Sequence, residues 1–432
     1  MLNFLYLKSL IENNNYADIW VAYSGGLDST ALLHLISEYK ENCEKKISFK
    51  AIHINHNLSQ NALQWESHSK TVCNKLNIPL VIKRVNSSPK KGESVEAWAR
   101  ELRYNIFSNL NQNFNQSGII LAHHQNDQAE TFLLSALKGS GPLGLSAMPN
   151  KRRLNSIDII RPLLKVSQKD IMEYAVKNKL DWIEDESNQN DKFDRNYLRK
   201  NVINVIQNRW PSSTVSLSRS AELCAENNTV LIDYIDNDIK KLYIDLNKPQ
   251  VINYTYLVQF DFIKRKLIIK RWLEKTQSHI ISFKILEQFC EQLVSAPSGW
   301  QYRINDQLTI RRYRDHLSIH NERKEKQKSF CYPWRKNTKD IYIPEIDKII
   351  IADDLINIGV KQEILNSDNL FLRSRQPKDV CKPIDRHKKN KLKIIFQEQG
   401  ISSWKRKSAI ILSLKENHQE KIIAVWPFFQ CN

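Results

Sequence analysis

The chain is poor in the residues that build metal and redox centres. Its seven cysteines stand at 43, 73, 224, 290, 331, 381 and 431 of 432 residues, and no two form a Cys-x-x-Cys pair. This scatter argues against zinc and iron–sulfur binding, and with the odd count it points to a reducing, cytoplasmic setting. Glycine is scarce, ten in all, so a cluster of glycines marks a place where the backbone needs unusual freedom. No apolar run approaches the roughly 20 residues that cross a bilayer. Lys8, Glu12 and the asparagines at 13–15 interrupt the apolar amino terminus where an export signal would be continuous. No membrane partner is expected. Acidic charge is also in short supply, with 47 Asp and Glu against 65 Lys and Arg, a net +18. That excess predicts a polyanionic partner, nucleic acid first. Length and a hydrophobic content of 41% allow two or three domains, each with its own core.

Two of the ten glycines sit in the most informative stretch, Ala17 to Tyr39, ADIWVAYSGGLDSTALLHLISEY. Ile19 to Tyr23 reads as a buried strand, and Ala31, Leu32, Leu35 and Ile36 recur at helical spacing. Strand, tight turn and helix leave unpaired N–H groups and the positive end of a helix dipole at the turn, which suits a phosphate. Asp28 is the odd member, because a carboxylate repels phosphate unless Mg²⁺ stands between them. Neither G-x-x-x-x-G-K-[ST] nor G-x-G-x-x-G is present. The run Ser24, Gly25, Gly26, Leu27, Asp28, Ser29 instead resembles the pyrophosphate-binding loop, or PP-loop, of the N-type ATP pyrophosphatases. Those enzymes split ATP into AMP and pyrophosphate.

Strands and helices then alternate. Strands are expected at Ile47 to Asn55, Pro79 to Val85 and Gly118 to His123; helices at Leu63 to Leu76, Ser94 to Leu110 and Asp127 to Lys138. The rhythm predicts a parallel sheet covered on both faces, with ligands beyond the carboxyl ends of its strands. His53, His56, His123 and His124 fall at that rim. Their spacing suits no structural zinc site, so a metal is the least favoured reading, behind plain strand-end polar residues and groups that position ATP or substrate. HHQNDQAET, His123 to Thr131, closes a strand and opens a helix, so Asp127 and Glu130 lie on a first helical turn. Acidic residues there either cap the helix or serve the phosphate site. The glycine-rich Lys138 to Pro149 is expected to be a loop, either a flap or a connection. A helix follows near Ser167 to Lys179. The acidic, amide-rich Trp182 to Tyr197 leads into a further helix, whose Arg195, Asn196 and Arg199 are placed to grip phosphates, or merely close a solvated linker.

Beyond residue 210 the pattern changes. The division expected is 1–210, 211–325 and 326–432. Ser216 to Leu246 and Phe260 to Leu273 read as amphipathic helices, and Trp300 to His320 as paired strands. The last part mixes short strands, Ile341 to Ile343 and Ile349 to Ile351, with a basic helix around Lys388 to Glu398. Lys388, Lys389, Lys391 and Lys393, with Trp404, Lys405, Arg406 and Lys407, form the densest basic cluster, which Arg373 and Arg375 could join. On its own, such a cluster is as readily a solvated face as a site.

Six runs in register, VAYSGGLDSTALLHL, AIHINHNLSQNA, EAWARELRY, AHHQNDQAETFLLSALKGSGPLGLSAM, IIRPLL and WIEDESNQNDKFDRNYLRKNVI, resemble the tRNA(Ile)-lysidine synthetase family over nearly all of residues 18 to 210. NKLKIIFQEQGISSWKR resembles that family's C-terminal domain more loosely. The resemblance implies an α/β fold: an N-terminal Rossmann-like parallel sheet carrying the PP-loop, a mostly helical middle domain and a small α+β C-terminal domain. It implies that ATP adenylates the C2 oxygen of the wobble cytidine in the CAU anticodon of an isoleucine tRNA. The ε-amine of free L-lysine then displaces AMP, forming lysidine, which changes both the codon read and the amino acid charged. ATP and Mg²⁺ are the implied cofactors. Ser24, Gly25, Gly26 and Ser29 would hold the pyrophosphate. Asp28 and Asp127 would serve the metal, and Asp127 would also accept the lysine proton. His53, His56, Arg100 (within EAWARELRY), His123, His124, Glu130, Arg195, Asn196 and Arg199 would position ATP or substrate. The C-terminal basic cluster would hold the acceptor arm of the tRNA. A homodimer is compatible with the chain. The family usually carries two consecutive aspartates where this sequence has Asn126 and Asp127. Sulfur-transferring relatives need reactive cysteines that Cys43 and Cys73 do not match. Enzymes making GMP, NAD or argininosuccinate leave the basic carboxyl half unexplained. A non-catalytic tRNA-binding relative requires Asn126 to have disabled the site.

Overall fold

The computed structural model describes residues 2–12, 14, 16–42, 47–57, 59–90, 92, 94–110, 117–155, 157–184, 193–277, 281–321, 329–367, 369–416 and 419–431. The chain divides into two compact units, Met1–Leu231 and Ile232–Asn432. Among the described residues no helix is long and apolar enough to cross a membrane.

The first unit runs α1 (Leu5–Glu12), β1 (Asp18–Ala22), α2 (Leu27–Asn42), β2 (Ser48–Asn55), α3 (Ala62–Lys75), β3 (Leu80–Arg84), α4 (Val95–Ser108), β4 (Ser117–Ile120), α5 (Gln125–Leu137), α6 (Pro142–Leu145), β5 (Lys151–Leu154), β6 (Ile157–Ile160) and α7 (Gln168–Lys177). Its sheet has the order β3-β2-β1-β4-β6-β5. All neighbours are parallel except the β5–β6 pair. This is the expected Rossmann-like sheet. Ile19 and Val21 on β1 face a core made with α1, α2 and α7 through Leu7, Ile11, Leu32, Leu35, Ile171 and Tyr174. Trp20 faces the other way, onto Ile52, Phe107, Ile119 and Ile159. Burial of both faces explains why β1 reads as a continuous apolar run rather than an alternating one.

Chain order reverses at β1, which has β2 on one side and β4 on the other. Such a switch point opens a crevice at the carboxyl ends of the two strands. The segments that follow β1 and β4 are the SGGLDS turn and HHQND. Topology alone therefore brings the two most informative stretches together.

Neither α1 nor the β5–β6 hairpin is foreshadowed by the sequence pattern. Four-residue strands are too short for periodicity to reveal. Lys151, Arg152 and Arg153 keep β5 charged and exposed, as suits an edge strand. The glycine-rich connection holds one helical turn, α6, and is pinned at its far end. Gln128 Nε2 donates to Met148 O, and Met148 N donates to Gln128 Oε1, both at 2.8 Å. Half of the acidic stretch expected between Trp182 and Tyr197, residues 185–192, lies outside the described residues.

In the second unit, a four-stranded antiparallel sheet (Val251–Asn253, His316–Asn321, Leu308–Tyr313, Gln301–Arg303, in that order) accompanies helices Phe262–Gln277 and Phe283–Val294. A five-stranded antiparallel sheet follows, in the order Cys331–Trp334, Leu370–Ser374, Ile410–Glu416, Gln419–Trp426, Phe429–Gln430. Trp334, Leu372 and Leu412 fill one side of it, and Ile395, Phe396 and Ile411 the other. The helix expected from Lys388 begins only at Leu392, because the buried positions Leu392, Ile395 and Phe396 set its register.

The carboxyl end of β2, one wall of the crevice, is fixed by a buried acid. Glu66 on α3 is 2% exposed. It accepts from Asn55 Nδ2 at 2.8 Å and from Arg84 Nε and Nη2 at 2.9 and 2.7 Å. Arg84 first, then Asn55, pull its carboxyl down from 4.5 to about 2. A lowered acid stabilises the fold above its unfolded pKa, and that contribution disappears as pH falls through the folded one. Glu66→Gln should cost about 1–3 kcal/mol at neutral pH. It should also flatten the dependence of unfolding free energy on pH between about 4.5 and 2. Denaturant titrations across that window check both, and an unaltered pH profile would remove Glu66 from this role.

Candidate active site

The turn after β1 is built from the backbone outward. Tyr23 N donates to Ile52 O at 2.9 Å, and its carbonyl accepts from His53 Nδ1 at 3.0 Å. Gly25 then takes φ +90°, and a Cβ there would stand 3.0 Å from Ile183 Cδ1. Ile183 N also donates to Gly25 O at 2.9 Å, so position 25 is closed to any side chain. Ser29 Oγ organises the turn, donating to Gly26 O at 3.0 Å and accepting from Ser24 N at 3.2 Å. Ser24 Oγ lies 3.0 Å from it. Leu27 packs its side chain on the core and offers the site only its backbone. Helix α2 begins at Leu27, so the N–H groups of its first turn have no helical acceptor.

Across the switch point, α5 starts with a reciprocal cap. His124 N donates to Asp127 Oδ2 at 3.0 Å, and Asn126 N donates to His124 Nδ1 at 3.2 Å. With Nδ1 accepting, the ring proton sits on Nε2, which lies 3.6 Å from both Asp28 Oδ2 and Asp127 Oδ2. One buried imidazole thus joins the phosphate loop to HHQND. Burial works against charge on His124, but Asp28, Asp127 and Glu130 outweigh it and raise its pKa. A second proton would have to displace the Asn126 cap bond. Burial alone would raise Asp127 too; His124, His123, the His124 N–H and Arg199 instead leave it below the ordinary carboxylate range.

The cap extends into an ion-pair network. Glu130, 1% exposed, accepts from Arg199 Nε at 2.6 Å and Nη2 at 3.1 Å, and Arg199 Nη2 lies 3.6 Å from Asp127 Oδ1. Arg195 donates to Thr131 Oγ1 at 3.1 Å and stands 3.6 Å from Glu96 Oε1. Asn196 lies between these arginines, in the short helix Asp194–Tyr197. Asn126 Oδ1 accepts from Gln168 N at 3.4 Å, so this amide ties the mouth of α5 to that of α7.

His123 is held from behind by Arg161, a residue that the sequence shows only as part of IIRPLL. Arg161 is 2% exposed and donates to His123 Nδ1 at 3.2 Å, Pro149 O at 2.8 Å and Tyr104 OH at 3.2 Å. Burial, reinforced by Arg161 against the pull of Asp127, pushes His123 down to about 3. It is a neutral imidazole with its proton on Nε2. Arg100 stacks over Tyr104 at 5.0 Å, which links it to the same group. On β2, His53 is buried and neutral, and serves the loop through its bond to Tyr23. His56 is lowered to about 4 by burial and Arg103; its Nδ1 is buried without a hydrogen-bond partner among the described residues.

Asp28 Oδ1 is likewise buried without a partner among the described residues. Among the described residues, no group of three or more His, Cys, Asp or Glu could hold a metal by itself. One or two carboxylates and an open oxygen are what Mg²⁺ uses when nucleotide phosphates supply its remaining ligands. The residues present fit that ion.

The basic residues of the C-terminal sheet behave differently from one another. Lys388, Lys389, Lys391, Lys393 and Lys405 are exposed. Arg373 is not a surface contact, contrary to expectation. It is buried, bonded to Asp379 Oδ1 at 2.8 Å and to Glu420 Oε1 at 2.5 Å. Arg375 lies half-buried, 5.5 Å over the Phe396 ring. Arg406 donates to Ile401 O and Tyr313 OH. Trp404 packs edge-on against Tyr313 and His320, with Arg311 5.3 Å over its ring. Neither alternation nor composition could show these partners, which come from distant strands.

Comparison with known proteins agrees with this geometry. The PP-loop domain family matches residues 5–206, and the TilS substrate C-terminal domain family matches residues 370–429. The tRNA(Ile)-lysidine synthase of Francisella philomiragia is 34% identical over 429 residues, 98% of each chain. That of Coxiella burnetii is 33% identical over 428 residues, 99% of this chain and 91% of the relative. That of Salmonella schwarzengrund is 34% identical over 399 residues, 91% of this chain and 89% of the relative. Full-length identity at this level, with both domain families in order, shows that the chain belongs to the tRNA(Ile)-lysidine synthase family.

Proposed function

We propose that the protein joins free L-lysine to C2 of the wobble cytidine of tRNA(Ile) bearing a CAU anticodon, at the expense of ATP. The observation that carries this reading is the His124 bridge, which couples the phosphate turn to the carboxylates of α5. In the first step the cytidine O2 attacks the α-phosphate of ATP, and pyrophosphate leaves toward the Ser24–Ser29 turn. In the second the lysine Nε attacks C2, the C2–O bond breaks, and AMP departs with its electron pair. Mg²⁺, held by Asp28 and Asp127, would supply charge neutralisation at the phosphates.

A lysine ammonium, with pKa about 10.4, must lose a proton before it can attack. Asp127 is the acceptor that fits by position. Arg199 and His124 weaken its basicity, so proton transfer should limit the second step at neutral pH. Glu130 keeps Arg199 beside Asp127, and Arg161 holds His123 in one tautomer; both position rather than react. His56, Arg100, Arg195 and Asn196 are assigned to positioning ATP or substrate, while His53 acts through the loop whose Tyr23 carbonyl it bonds. The division proposed is catalysis within 1–210, with 211–325 and 326–432 contacting tRNA.

Cys73 gives a sulfur-transfer reading no support, and Cys43 lies outside the described residues. Cys73 is fully buried, and burial pushes its thiol up to about 12, far from a reactive thiolate. Asn126 likewise supports no loss of function, since its amide is engaged as a cap while Asp127 keeps its place. Supplying labelled lysine, ATP and bulk tRNA tests the function; label should enter the isoleucine tRNA with the CAU anticodon and not the methionine tRNAs that share that anticodon.

Asp28→Ala should abolish ATP-dependent pyrophosphate release while leaving tRNA affinity within about twofold, since the carboxylate faces the phosphate site. Near-normal release would remove Asp28 from the mechanism. Asp127→Asn keeps shape and removes the proton acceptor. Adenylated tRNA should accumulate, with lysine transfer down about 10²–10⁴-fold and partly restored at high pH. Loss of adenylation as well would reassign Asp127 to metal binding. Replacing Lys388, Lys389, Lys391 and Lys393 by alanine should weaken tRNA binding and reduce the salt slope by about 0.7–0.9 for each phosphate no longer neutralised. Parallel salt plots of equal height would make these lysines a solvated face.

A further inference from the structure

A pocket of about 450 Å³ opens at the turn between helix Asn204–Arg209 and the helix that starts at Ser213, lined by Ile206, Arg209, Trp210, Pro211, Ser213 and Leu217 among others. Three features set it apart from an ordinary interhelical turn. Trp210 is 62% exposed and makes no ring contact among the described residues. Ser213 is only 9% exposed, yet its Oγ has no hydrogen-bond partner among the described residues. Arg209 is exposed and makes no ion pair among the described residues. The turn itself is well held, by Trp210 N to Ile206 O at 2.8 Å and Ser213 N to Trp210 O at 2.9 Å. A large aromatic side chain left in water and a buried hydroxyl left unpaired both carry a cost. An occupant that covers the indole and bonds the hydroxyl would relieve both.

We propose that this pocket is a subsite for an unpaired base of the tRNA anticodon loop, stacked on Trp210, with Ser213 Oγ bonded to its edge and Arg209 at the adjoining phosphate. The proposal rests on the reading of the protein as a tRNA-modifying enzyme. A flat ring with polar edges and an attached phosphate matches an indole, a hydroxyl and a guanidinium side by side. The net charge of +18 favours the same polyanion. Free lysine fits poorly, because the lining offers no carboxylate for its ammonium. Paired RNA fits poorly too, since bases in an A-form helix stay stacked and cannot enter. Loop bases are splayed, and the reacting cytidine belongs to such a loop. Arg199, which pairs with Glu130 beside the catalytic carboxylate, lies ten residues upstream of Arg209 along a helical path. At 1.5 Å per residue that is about 15 Å, within reach of neighbouring nucleotides of one loop.

The test uses the full-length protein with two synthetic RNAs, an anticodon stem-loop with the CAU anticodon and an acceptor-arm minihelix. Trp210→Ala should weaken stem-loop binding about 10-fold, while Trp210→Phe keeps most of the affinity. Ser213→Ala should weaken it about 2–10-fold. Minihelix affinity and ATP binding should not change, and with intact tRNA the loss should fall on KM rather than kcat. Unchanged stem-loop affinity in Trp210→Ala would overturn the proposal, as would equal losses on both RNAs. A shift from dimer to monomer with RNA affinity intact would also overturn it, and assign the pocket to a second copy of the chain. Wild-type protein that binds the stem-loop through Trp210 but transfers no lysine would sink the enzymatic reading and leave the subsite standing.

Discussion

The arrangement of the catalytic unit depends on one imidazole placed at a reversal of strand order. His124 sits where β1 and β4 part, and its Nε2 reaches Asp28 on one side and Asp127 on the other, each at 3.6 Å. The parallel sheet supplies the crevice, the two capping bonds fix the ring, and the ring holds together two carboxylates that would otherwise repel. Everything further out serves that geometry. Gly25 lets the backbone turn against Ile183, Glu130 holds Arg199 beside Asp127, and Arg161 fixes the adjacent His123 from beneath. A site so connected resists piecemeal change. Removing one member leaves a buried charge or hydrogen-bonding group without its partner.

The electrostatics divide the histidines by task. His53, His56 and His123 are all held neutral by burial, aided by nearby cations at His56 and His123. Only His124, facing two aspartates, is pushed upward. Neutral imidazoles can orient an adenine, a ribose or a phosphate without adding charge to a site already rich in arginine. In the proposed reaction the acid–base role is assigned to Asp127, whose own basicity is held down by His124, His123 and Arg199.

What could be read in advance follows the range over which the physics acts. The SGGLDS turn, the strand–helix alternation and the capping role of Asp127 are local, set by residues within one turn of each other, and the sequence alone displays them. Arg161 and Glu66 acquire meaning only through partners far along the chain or on other elements. Nothing in IIRPLL distinguishes a buried arginine from a solvated one. The same limit explains Arg373 and Trp404. Each looks like a nucleic-acid contact in a basic stretch, but Asp379 and Glu420 neutralise the first, while Tyr313 and His320 enclose the second. Asn126 is the converse case: the sequence shows only a missing carboxylate, and the fold shows its amide oxygen accepting from the Gln168 N–H.

The proposed reaction has two chemical steps in a fixed order. The most direct measurement of that order follows the α-phosphate of ATP. Wild-type protein, ATP labelled at that position and tRNA(Ile) with the CAU anticodon are combined without lysine, and lysine is then added. Label should enter the tRNA in the first stage and leave as AMP when lysine arrives, with arginine failing to discharge it. Unlabelled tRNA in the first stage, or label released equally well without lysine, would contradict it.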